Sequence, residues 1–371
     1  YLIKFFFCGL ITALLFPPFF LFPIGFIAFP YLFFLICDEA IKNKRSLQFF
    51  YGTIYGLGLN FIVLIWIKEP FLIDSNTKSI SLISYLLILY ISFYYGVSFY
   101  ILSFFKNNFL KLILIPVIFV ISEILREKVF FGFPWVTFAL INSSNHIILN
   151  LTYYIGTYGL SFLTIFLFLT PASLILFFNN IHLINYFKIY WSISIATIVI
   201  CIIMLNLRFN QSQFLQTKQE FEVSLNQLNI SQSEKWKNSL NKERFNKIIE
   251  LINVDNSNLI IFSETDYPFV IRNHDIVEKI QSFLKNKQTV IIGGIKNEED
   301  QYYNSLYLIE KNTFDVFDKK ILVPFGEFLP FRQYLNLKFI NSIVGNVDFS
   351  VGTGKRFMTL LNNINIIPVI C

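Results

Sequence analysis

The sequence predicts a polytopic α-helical membrane domain followed by a water-soluble α/β domain. Of the 371 residues, 55% are hydrophobic and only 15% are charged, whereas a soluble domain carries about 25% charged residues. The charges are also unevenly placed, with 17 Asp, Glu, Lys and Arg in residues 1–206 and 37 in residues 207–371. Apolar runs fill the first part, and strand and helix patterns alternate in the second. We therefore predict a transmembrane domain over residues 1–206 and a separate domain over residues 207–371.

Seven apolar segments are candidates for membrane-spanning helices, each of which needs about 20 apolar residues. They are residues 4–16, 18–37, 47–67, 80–105, 109–125, 149–178 and 187–206. The first segment is short, and Pro17-Pro18 separates it from the second, which favours a tight helical hairpin. No small-residue cleavage site precedes the next apolar stretch, so we interpret the first segment as an uncleaved span rather than a signal peptide.

Lys and Arg near the span ends predict the orientation. With the N-terminus in the cytoplasm, the inner segments, which include Lys42 and Lys106, hold seven of these residues and the outer loops hold four. Seven spans then deliver residues 207–371 to the outer side of the membrane. The second domain is therefore expected to be extracytoplasmic.

Charged residues end the fifth span, just before Gly132-Phe133-Pro134-Trp135. Among them, Glu123 and Arg126 are costly at membrane depth unless they are paired or lie in a water-filled cavity. One interpretation is an interfacial anchor with an i,i+3 pair. The other is a loop at the mouth of a lipid-accessible cavity, and the sequence leaves both open.

The other polar features exclude several classes of function. The net charge of +6 includes no basic block, which argues against nucleic-acid binding. Cys8, Cys37 and Cys201 lie in apolar runs, where a free Cys is usually a small hydrophobic residue. The three histidines lie in no catalytic motif, and no metal-ligand spacing occurs. No disulfide framework, metal or cofactor is therefore expected.

The second domain shows strand and helix patterns in alternation. The predicted strands are residues 222–229, 258–262, 289–293, 303–309, 313–317 and 365–370, and the predicted helices are residues 234–253 and 275–283. Alternating strands and helices followed by paired strands predict a sheet packed under helices.

Three chemically active side chains follow strands of this domain, and such strand ends are where α/β folds gather their sites. They are Glu264, Lys319 and Cys371. Each alone has an ordinary structural explanation as a loop, surface or core residue. Together they suit acyl chemistry, because a carboxylate can take the proton of an attacking thiol and an ammonium can stabilise the resulting oxyanion.

The order Glu–Lys–Cys, with residues 318–327 (DKKILVPFGE), resembles the nitrilase superfamily. Attachment to seven spans, Ser263-Glu264-Thr265, Tyr303-Asn304-Ser305-Leu306 and Gly132-Phe133-Pro134-Trp135 narrow the resemblance to the apolipoprotein N-acyltransferases. The resemblance implies an αββα sandwich in which Glu264 is the general base, Lys319 the oxyanion stabiliser and Cys371 the nucleophile. It also implies that Glu327 is a supporting carboxylate and that Trp236 lies near the substrate entrance.

The implied reaction moves a phospholipid acyl chain to Cys371 as a thioester, and then to the amino group of a diacylglyceryl-cysteine at an apolipoprotein N-terminus. The implied location is the bacterial inner membrane, with a periplasmic catalytic domain on a monomer. Rival interpretations are a membrane-tethered nitrilase-like amidase and a seven-span transporter or scaffold with an inert domain.

Two departures from the family pattern bear on these expectations. Ala139-Leu140 stands where the family has a Gly with an aromatic or polar residue, which affects the membrane-side groove. The family also continues past Cys371 with a Tyr, a Glu, further sheet and an eighth span. We therefore expect the catalytic domain to be truncated at its C-terminus, and an inactive truncated fragment is a further alternative.

Overall fold

A computed structural model gives the architecture of the protein. It describes residues 1–73, 78, 81–129, 132–179, 184–214, 221–230, 238–264, 266–267, 270–271, 275–324, 326–330, 332, 347–354, 357–360 and 364–370. The chain forms two compact units. Residues 1–72 and 79–216 make up the first unit, and residues 73–78 and 217–371 make up the second.

The first unit is mainly helical in its described part. Its helices are α1 (Leu2–Ala13), α2 (Gly25–Ile36), α3 (Arg45–Val63), α4 (Glu69–Ile73), α5 (Tyr85–Leu102), α6 (Asn108–Lys128), α7 (His146–Leu149), α8 (Thr152–Phe168), α9 (Thr170–Asn179) and α10 (Ile184–Phe214), with α4 at the boundary between the units. Each of the seven predicted apolar segments overlaps at least one of these helices.

Four stretches of helix in the described ranges are long and apolar enough to cross a membrane. They are Tyr85–Leu102, Asn108–Lys128, Thr152–Phe178 and Ile184–Leu207, whereas Leu2–Ala13 and Phe22–Ile36 are shorter apolar helices. Helix α3 has the length of a span, but it carries the buried polar side chains of Gln48 and Asn60, which lower its hydropathy. The structure therefore has four candidate spans where the sequence predicts seven.

Helices α1 and α3 pack with their backbones in contact. A Cβ atom at Gly9 would overlap the carbonyl oxygen of Tyr55, and one at Gly58 would overlap that of Phe6. Small residues permit this close approach, which is how helices commonly associate in membranes. Buried aromatic rings fill the space beside the pair, and Phe119 stacks on both Phe99 and Phe138, with ring centroids 6.3 and 5.8 Å apart.

Charged residues of α6 bond the backbone where a segment without regular structure leads into a 3-10 helix over Phe138–Asn142. Arg126, which is 1% exposed, donates to the carbonyl oxygen of Val136, and the N–H of Phe138 donates to Glu123 Oε1 at 2.7 Å. Ser161 of α8 accepts the N–H of Ala139 at 2.9 Å. Backbone that is not helical needs such partners when it is buried away from water. Glu123 and Arg126 are thus buried supports of the backbone.

The second unit is built on a mixed six-stranded sheet. Its strands and helices are β1 (Val223–Asn226), α11 (Asn241–Val254), β2 (Leu259–Phe262), β3 (Val270–Ile271), α12 (Asp275–Phe283), β4 (Thr289–Glu298), β5 (Gln301–Glu310) and β6 (Phe314–Asp318). The strand order is β1-β2-β4-β5-β6, and β3 pairs with β4. The first three strands of this order are parallel, and β4, β5 and β6 are antiparallel. A separate pair joins β7 (Met358–Thr359) to β8 (Asn365–Ile366).

The two faces of the sheet are covered differently. One face packs against α11 and α12 through a cluster that includes Ile248, Ile252 and Ile280. The other face packs against the β7–β8 segment in a cluster of buried and partly buried residues: Phe221, Leu259, Ile261, Ile291, Leu306, Leu308, Phe317, Met358, Leu360, Ile366 and Ile370. The predicted sheet under helices is confirmed for the first face. We call the second face the site face, because the candidate residues described next lie on it.

Several elements differ in their bounds from the sequence prediction. Strand β4 runs to Glu298 and forms a hairpin with β5, whereas the prediction ends it at residue 293. Glu299 and Asp300 make the turn with φ of 49° and 61°, the geometry of a type I′ turn, but without the usual Asn-Gly signal. Within the predicted helix over 234–253, Asn238–Leu240 is a 3-10 helix and Asn241–Val254 is an α-helix, and residues 234–237 lie outside the described residues. The predicted strand over 365–370 is paired only at Asn365–Ile366.

Candidate active site

Three of the five residues singled out from the sequence lie close together in the second unit: Glu264, Lys319 and Glu327. The other two, Cys371 and Trp236, lie outside the described residues. Glu327 contacts Lys319 directly, and Asn304 of β5 connects Glu264 to Glu327.

Glu264 follows β2 because a polar turn ends that strand. The Asp266 carboxylate accepts the N–H of Ser263 at 2.9 Å, and the Asp266 N–H returns a bond to the carbonyl oxygen of Ser263 at 3.3 Å. An Asp side chain that bonds nearby backbone in this way favours a turn over further strand. The Glu264 side chain leaves this turn exposed to solvent.

Lys319 directly follows β6 and is only 4% exposed. Its N–H donates to the carbonyl oxygen of Asn304 at 2.9 Å, which continues the pairing of β5 with β6 by one residue. Its carbonyl oxygen accepts the N–H of Gly352 at 2.9 Å. A Cβ atom at Gly352 would overlap the carbonyl oxygen of Asp318, so only glycine permits this approach. The backbone on both sides of the lysine is therefore fixed.

Glu327 gathers several donors around one carboxylate. Lys319 Nζ lies 3.0 Å from Oε1 and 2.9 Å from Oε2. The N–H of Val323 donates to Oε2 at 2.7 Å, which closes the turn that carries the glutamate. Its backbone is held as well, since its carbonyl oxygen accepts the N–H of Phe349 at 2.8 Å. A charge-assisted pair in so buried a position fixes the ammonium and the carboxylate relative to each other.

Asn304 connects the two glutamates. Its Nδ2 atom donates to Glu264 Oε1 at 3.1 Å and to Glu327 Oε1 at 2.7 Å, and the residue is 7% exposed. Because residues two apart on a strand share a face, Asn304 lies on the same face as Leu306 of the site-face cluster. Reasoning from the residues assigned Asn304 no role, although the stretch Tyr303-Asn304-Ser305-Leu306 contributed to the family resemblance.

A second polar group lies on the opposite face of the same strands. Asp318 accepts from Ser305 Oγ and from Lys296 Nζ, both at 2.6 Å. Burial opposes the charge of Lys296, but its bonds to Asp318 and Glu298 outweigh that effect and raise its pKa. These hydrogen bonds hold Asp318, the residue directly before Lys319, and so help to fix the position of the lysine from the face opposite the site face.

The segment that leads to Cys371 packs on the site face. Ile366 and Ile370 contact the same apolar cluster as Leu306 and Phe317, the residues that neighbour Asn304 and Lys319 along their strands. Ile366 and Ile370 thus pack on the face that carries Asn304 and Lys319. In the part of the chain that the structure describes, no group of three or more His, Cys, Asp or Glu side chains has the arrangement of a metal site.

This chain is similar to known proteins over nearly its whole length. A family model described as the apolipoprotein N-acyltransferase N-terminal domain matches residues 8–170. The chain is 25% identical to an apolipoprotein N-acyltransferase of Rhodopseudomonas palustris over 397 residues, an alignment that covers 98% of this chain and 72% of the relative. A relative of the same name from Brucella melitensis is 25% identical, with 99% and 72% covered. One from Wigglesworthia glossinidia brevipalpis is 31% identical over 69% of this chain and 51% of the relative.

Proposed function

Since the chain is a homologue of the apolipoprotein N-acyltransferases, as the residue motifs predict, we propose that it is a membrane enzyme that N-acylates lipoproteins. The acyl donor is a phospholipid and the acceptor is the free amino group of a diacylglyceryl-cysteine. The enzyme lies in the bacterial inner membrane, anchored by its apolar helices, with a nitrilase-like catalytic domain on the periplasmic side. Both substrates are lipids, so a membrane anchor brings the catalyst to the surface where they reside.

In the first step, Glu264 accepts the proton of the Cys371 thiol and the sulfur attacks the carbonyl carbon of the phospholipid ester. Lys319 stabilises the negative charge that forms on the carbonyl oxygen. The ester C–O bond then breaks, the departing oxygen takes the proton from Glu264, and a lysophospholipid leaves. The acyl chain remains on Cys371 as a thioester.

In the second step, the amino nitrogen of the lipoprotein attacks the thioester carbon. Glu264 accepts a proton from the nitrogen, Lys319 again faces the oxyanion, and the C–S bond breaks to form an amide. The thiolate recovers a proton from Glu264. One base and one cation thus serve both steps, and no dissociable cofactor is required.

The observation that supports this proposal is the hydrogen-bonded set on the site face. Lys319 is buried and bonded to Glu327, and Asn304 bonds both glutamates. A structural ion pair alone does not need a second, solvent-exposed carboxylate attached through a buried amide. An exposed base beside a fixed cation is an arrangement that suits acyl transfer from a carbonyl substrate.

The test is formation of the acyl-enzyme by the full chain with phospholipid. We expect a mass increase of one acyl group, located on the peptide that contains Cys371 and released by neutral hydroxylamine. Cys371→Ser should abolish the hydroxylamine-labile adduct, whereas Cys201→Ser should retain it. Lys319→Met should slow acylation roughly 10²-fold or more, the scale for the loss of one oxyanion donor, and Lys320→Met, an exposed neighbour, should not.

Transfer to a diacylglyceryl peptide completes the test. The isolated acyl-enzyme should lose its acyl mass when the peptide is added, and the peptide should gain it on its amino group. An adduct that forms equally well in Lys319→Met contradicts the role of the lysine. Hydrolysis of small amides without any phospholipid-derived adduct supports an amidase instead.

A further inference from the structure

One amide group bonds two carboxylates of the candidate active site. Asn304 Nδ2 is the donor to both Glu264 Oε1 and Glu327 Oε1. An amide NH2 carries two hydrogens, so it can bond two anions at once, whereas a hydroxyl or a carboxylic acid has one hydrogen to give. Since both partners are acceptors, the nitrogen of the amide and not its oxygen must face them. Neither serine nor aspartate can donate these two hydrogen bonds at once.

The two bonded carboxylates are held to different degrees. Glu327 also contacts Lys319 Nζ with both oxygens and accepts the N–H of Val323, and its side chain is 12% exposed. Glu264 is exposed, and among the described residues Asn304 is its one hydrogen-bond donor. Glu327 is therefore held at both oxygens, whereas Glu264 is held by a described donor at Oε1 alone.

We propose that Asn304 is a positioning residue that assigns different tasks to these two acids, an inference that rests on the proposed acyl transfer. It anchors Oε1 of Glu264 and leaves Oε2 to take the proton of the nucleophile. Its neutral NH2 also separates the charge of Glu264 from that of Glu327, which serves as the fixed counterion of Lys319. Two ionised carboxylates in direct contact would instead disfavour each other's charge.

The charges around Asn304 come from a few elements. Those that bond to it or to its partners are Glu264 after β2, Lys319 after β6 and Glu327 in the following turn. Strand β4 contributes the apolar Ile295 as its register partner. Charges on the neighbouring elements bond to one another: Lys296 to Asp318 and Glu298, and Arg332 to Asp348. A charge introduced at Asn304 therefore acts first on the two glutamates and the lysine.

The decisive variant is Asn304→Asp, which keeps the size of the side chain, removes both donor hydrogens and adds a carboxylate. Three carboxylates would then share one ammonium, so ionising all of them becomes harder. We expect the acid limb of the pH–rate profile for acylation of Cys371 to move upward by about one pH unit or more. Asn297→Asp is the matched control, since it makes the same change on the hairpin of β4 and β5, where Asn297 donates to the backbone of Gln301. The acid limb of the Asn297→Asp profile should coincide with that of the unchanged chain.

A second variant separates loss of the amide from gain of charge. Asn304→Ser removes the double donor without adding a carboxylate, and should lower the plateau rate roughly 10- to 100-fold because the base is no longer oriented. Its acid limb should move less than that of Asn304→Asp. A purely structural role would lower the plateau in both variants, according to their stability, and leave the acid limb in place.

A readout that does not need acyl transfer keeps this inference separate from the proposed function. The rate at which iodoacetamide alkylates Cys371 is measured against pH, on the peptide that carries it, in the unchanged chain and in each variant. If no acyl-enzyme forms but Asn304→Asp still displaces the alkylation profile, the proposed function fails and the positioning role of Asn304 stands. An unmoved acid limb in both assays, or an equal movement in Asn297→Asp, overturns the positioning role.

Discussion

Replacing Glu327 by glutamine keeps the size of the side chain and removes the charge that Lys319 contacts. The pair is buried, with 5% of the lysine side chain and 12% of the glutamate side chain exposed, and Lys319 Nζ is 2.9 Å from Glu327 Oε2. Val323 and Asn304 also donate to the same carboxylate. A glutamine amide offers one oxygen to this group of donors and turns a donor of its own toward them.

The expected cost follows from burial. Removal of one partner from a buried ion pair destabilises a protein by about 3–5 kcal/mol, and because glutamine retains one acceptor we expect about 3 kcal/mol, near the lower limit. The free energy of unfolding falls by about 1–3 kcal/mol per molar urea, so this cost lowers the urea midpoint of unfolding by about 1–3 M. Glu298→Gln is the matched control. Glu298 Oε2 is also 2.9 Å from a lysine Nζ, but its side chain is 65% exposed, and exposed pairs contribute about 0–1 kcal/mol.

The midpoint can be measured by pulse proteolysis of the full chain in detergent, with urea as the denaturant and the intact second unit followed on a gel. The two variants make the same chemical change at ion pairs of the same length, so the comparison contrasts a buried carboxylate that has several donors with an exposed one. Equal shifts for Glu327→Gln and Glu298→Gln would refute the reasoning, and so would a Glu327→Gln variant as stable as the unchanged chain.

Other parts of the molecule give three further expectations. A cysteine introduced beside Lys42 should resist a membrane-impermeant thiol reagent in intact cells while one at Asn312 reacts, and labelling beside Lys42 would reverse the orientation deduced from Lys and Arg. Gly58→Ala should destabilise the first unit by about 1–3 kcal/mol, because the new methyl group overlaps a backbone oxygen of α1; the melting temperature in detergent reports this, and Gly354→Ala, where no atom lies within 4 Å of the added Cβ, should leave it unchanged. Hydrogen bonding to its arginine partner lowers the pKa of Asp348, so this pair adds stability above the ordinary carboxyl value of about 3.9 and loses it as the pH falls through the lowered pKa. Asp348→Asn should accordingly cost about 1 kcal/mol or less at pH 7, and less as the pH falls below about 3.9 and through the lowered pKa. A cost that does not change with pH would contradict this.

In the proposed chemistry, Glu264 accepts and returns a proton, while Lys319 keeps a fixed positive charge. Glu264 is exposed and bonded by one neutral amide, whereas Lys319 and Glu327 are buried and bonded to each other. A base that cycles through protonation in two successive steps benefits from a partner that does not change its own charge. The oxyanion stabiliser, in contrast, should keep both its charge and its position while the substrate reacts, because preorganised charge costs no reorganisation during the reaction.

Composition and periodicity alone determined the division of the chain and most of its elements. The uneven distribution of charge separates a helical region with candidate spans from a mixed sheet domain, and the apolar strands place Glu264 and Lys319 at strand ends. Such features are local, since a strand or a span is recognised by its own side chains. The hairpin of β4 and β5 was missed because Glu299-Asp300 carries no common turn signal, and its geometry depends on the two paired strands.

Only the tertiary structure decided which polar groups meet. In the sequence, Glu123 and Arg126 are compatible with an interfacial anchor, but the folded chain buries them and bonds them to the backbone of Val136 and Phe138. Asn304 is an ordinary strand residue until β2, β6 and the turn at Glu327 converge on its amide. Periodicity tells which face a side chain takes, but its partners come from segments 23 and 40 residues away in the chain. Contacts of that kind are set by how the whole sheet packs, and no local pattern of residues encodes them.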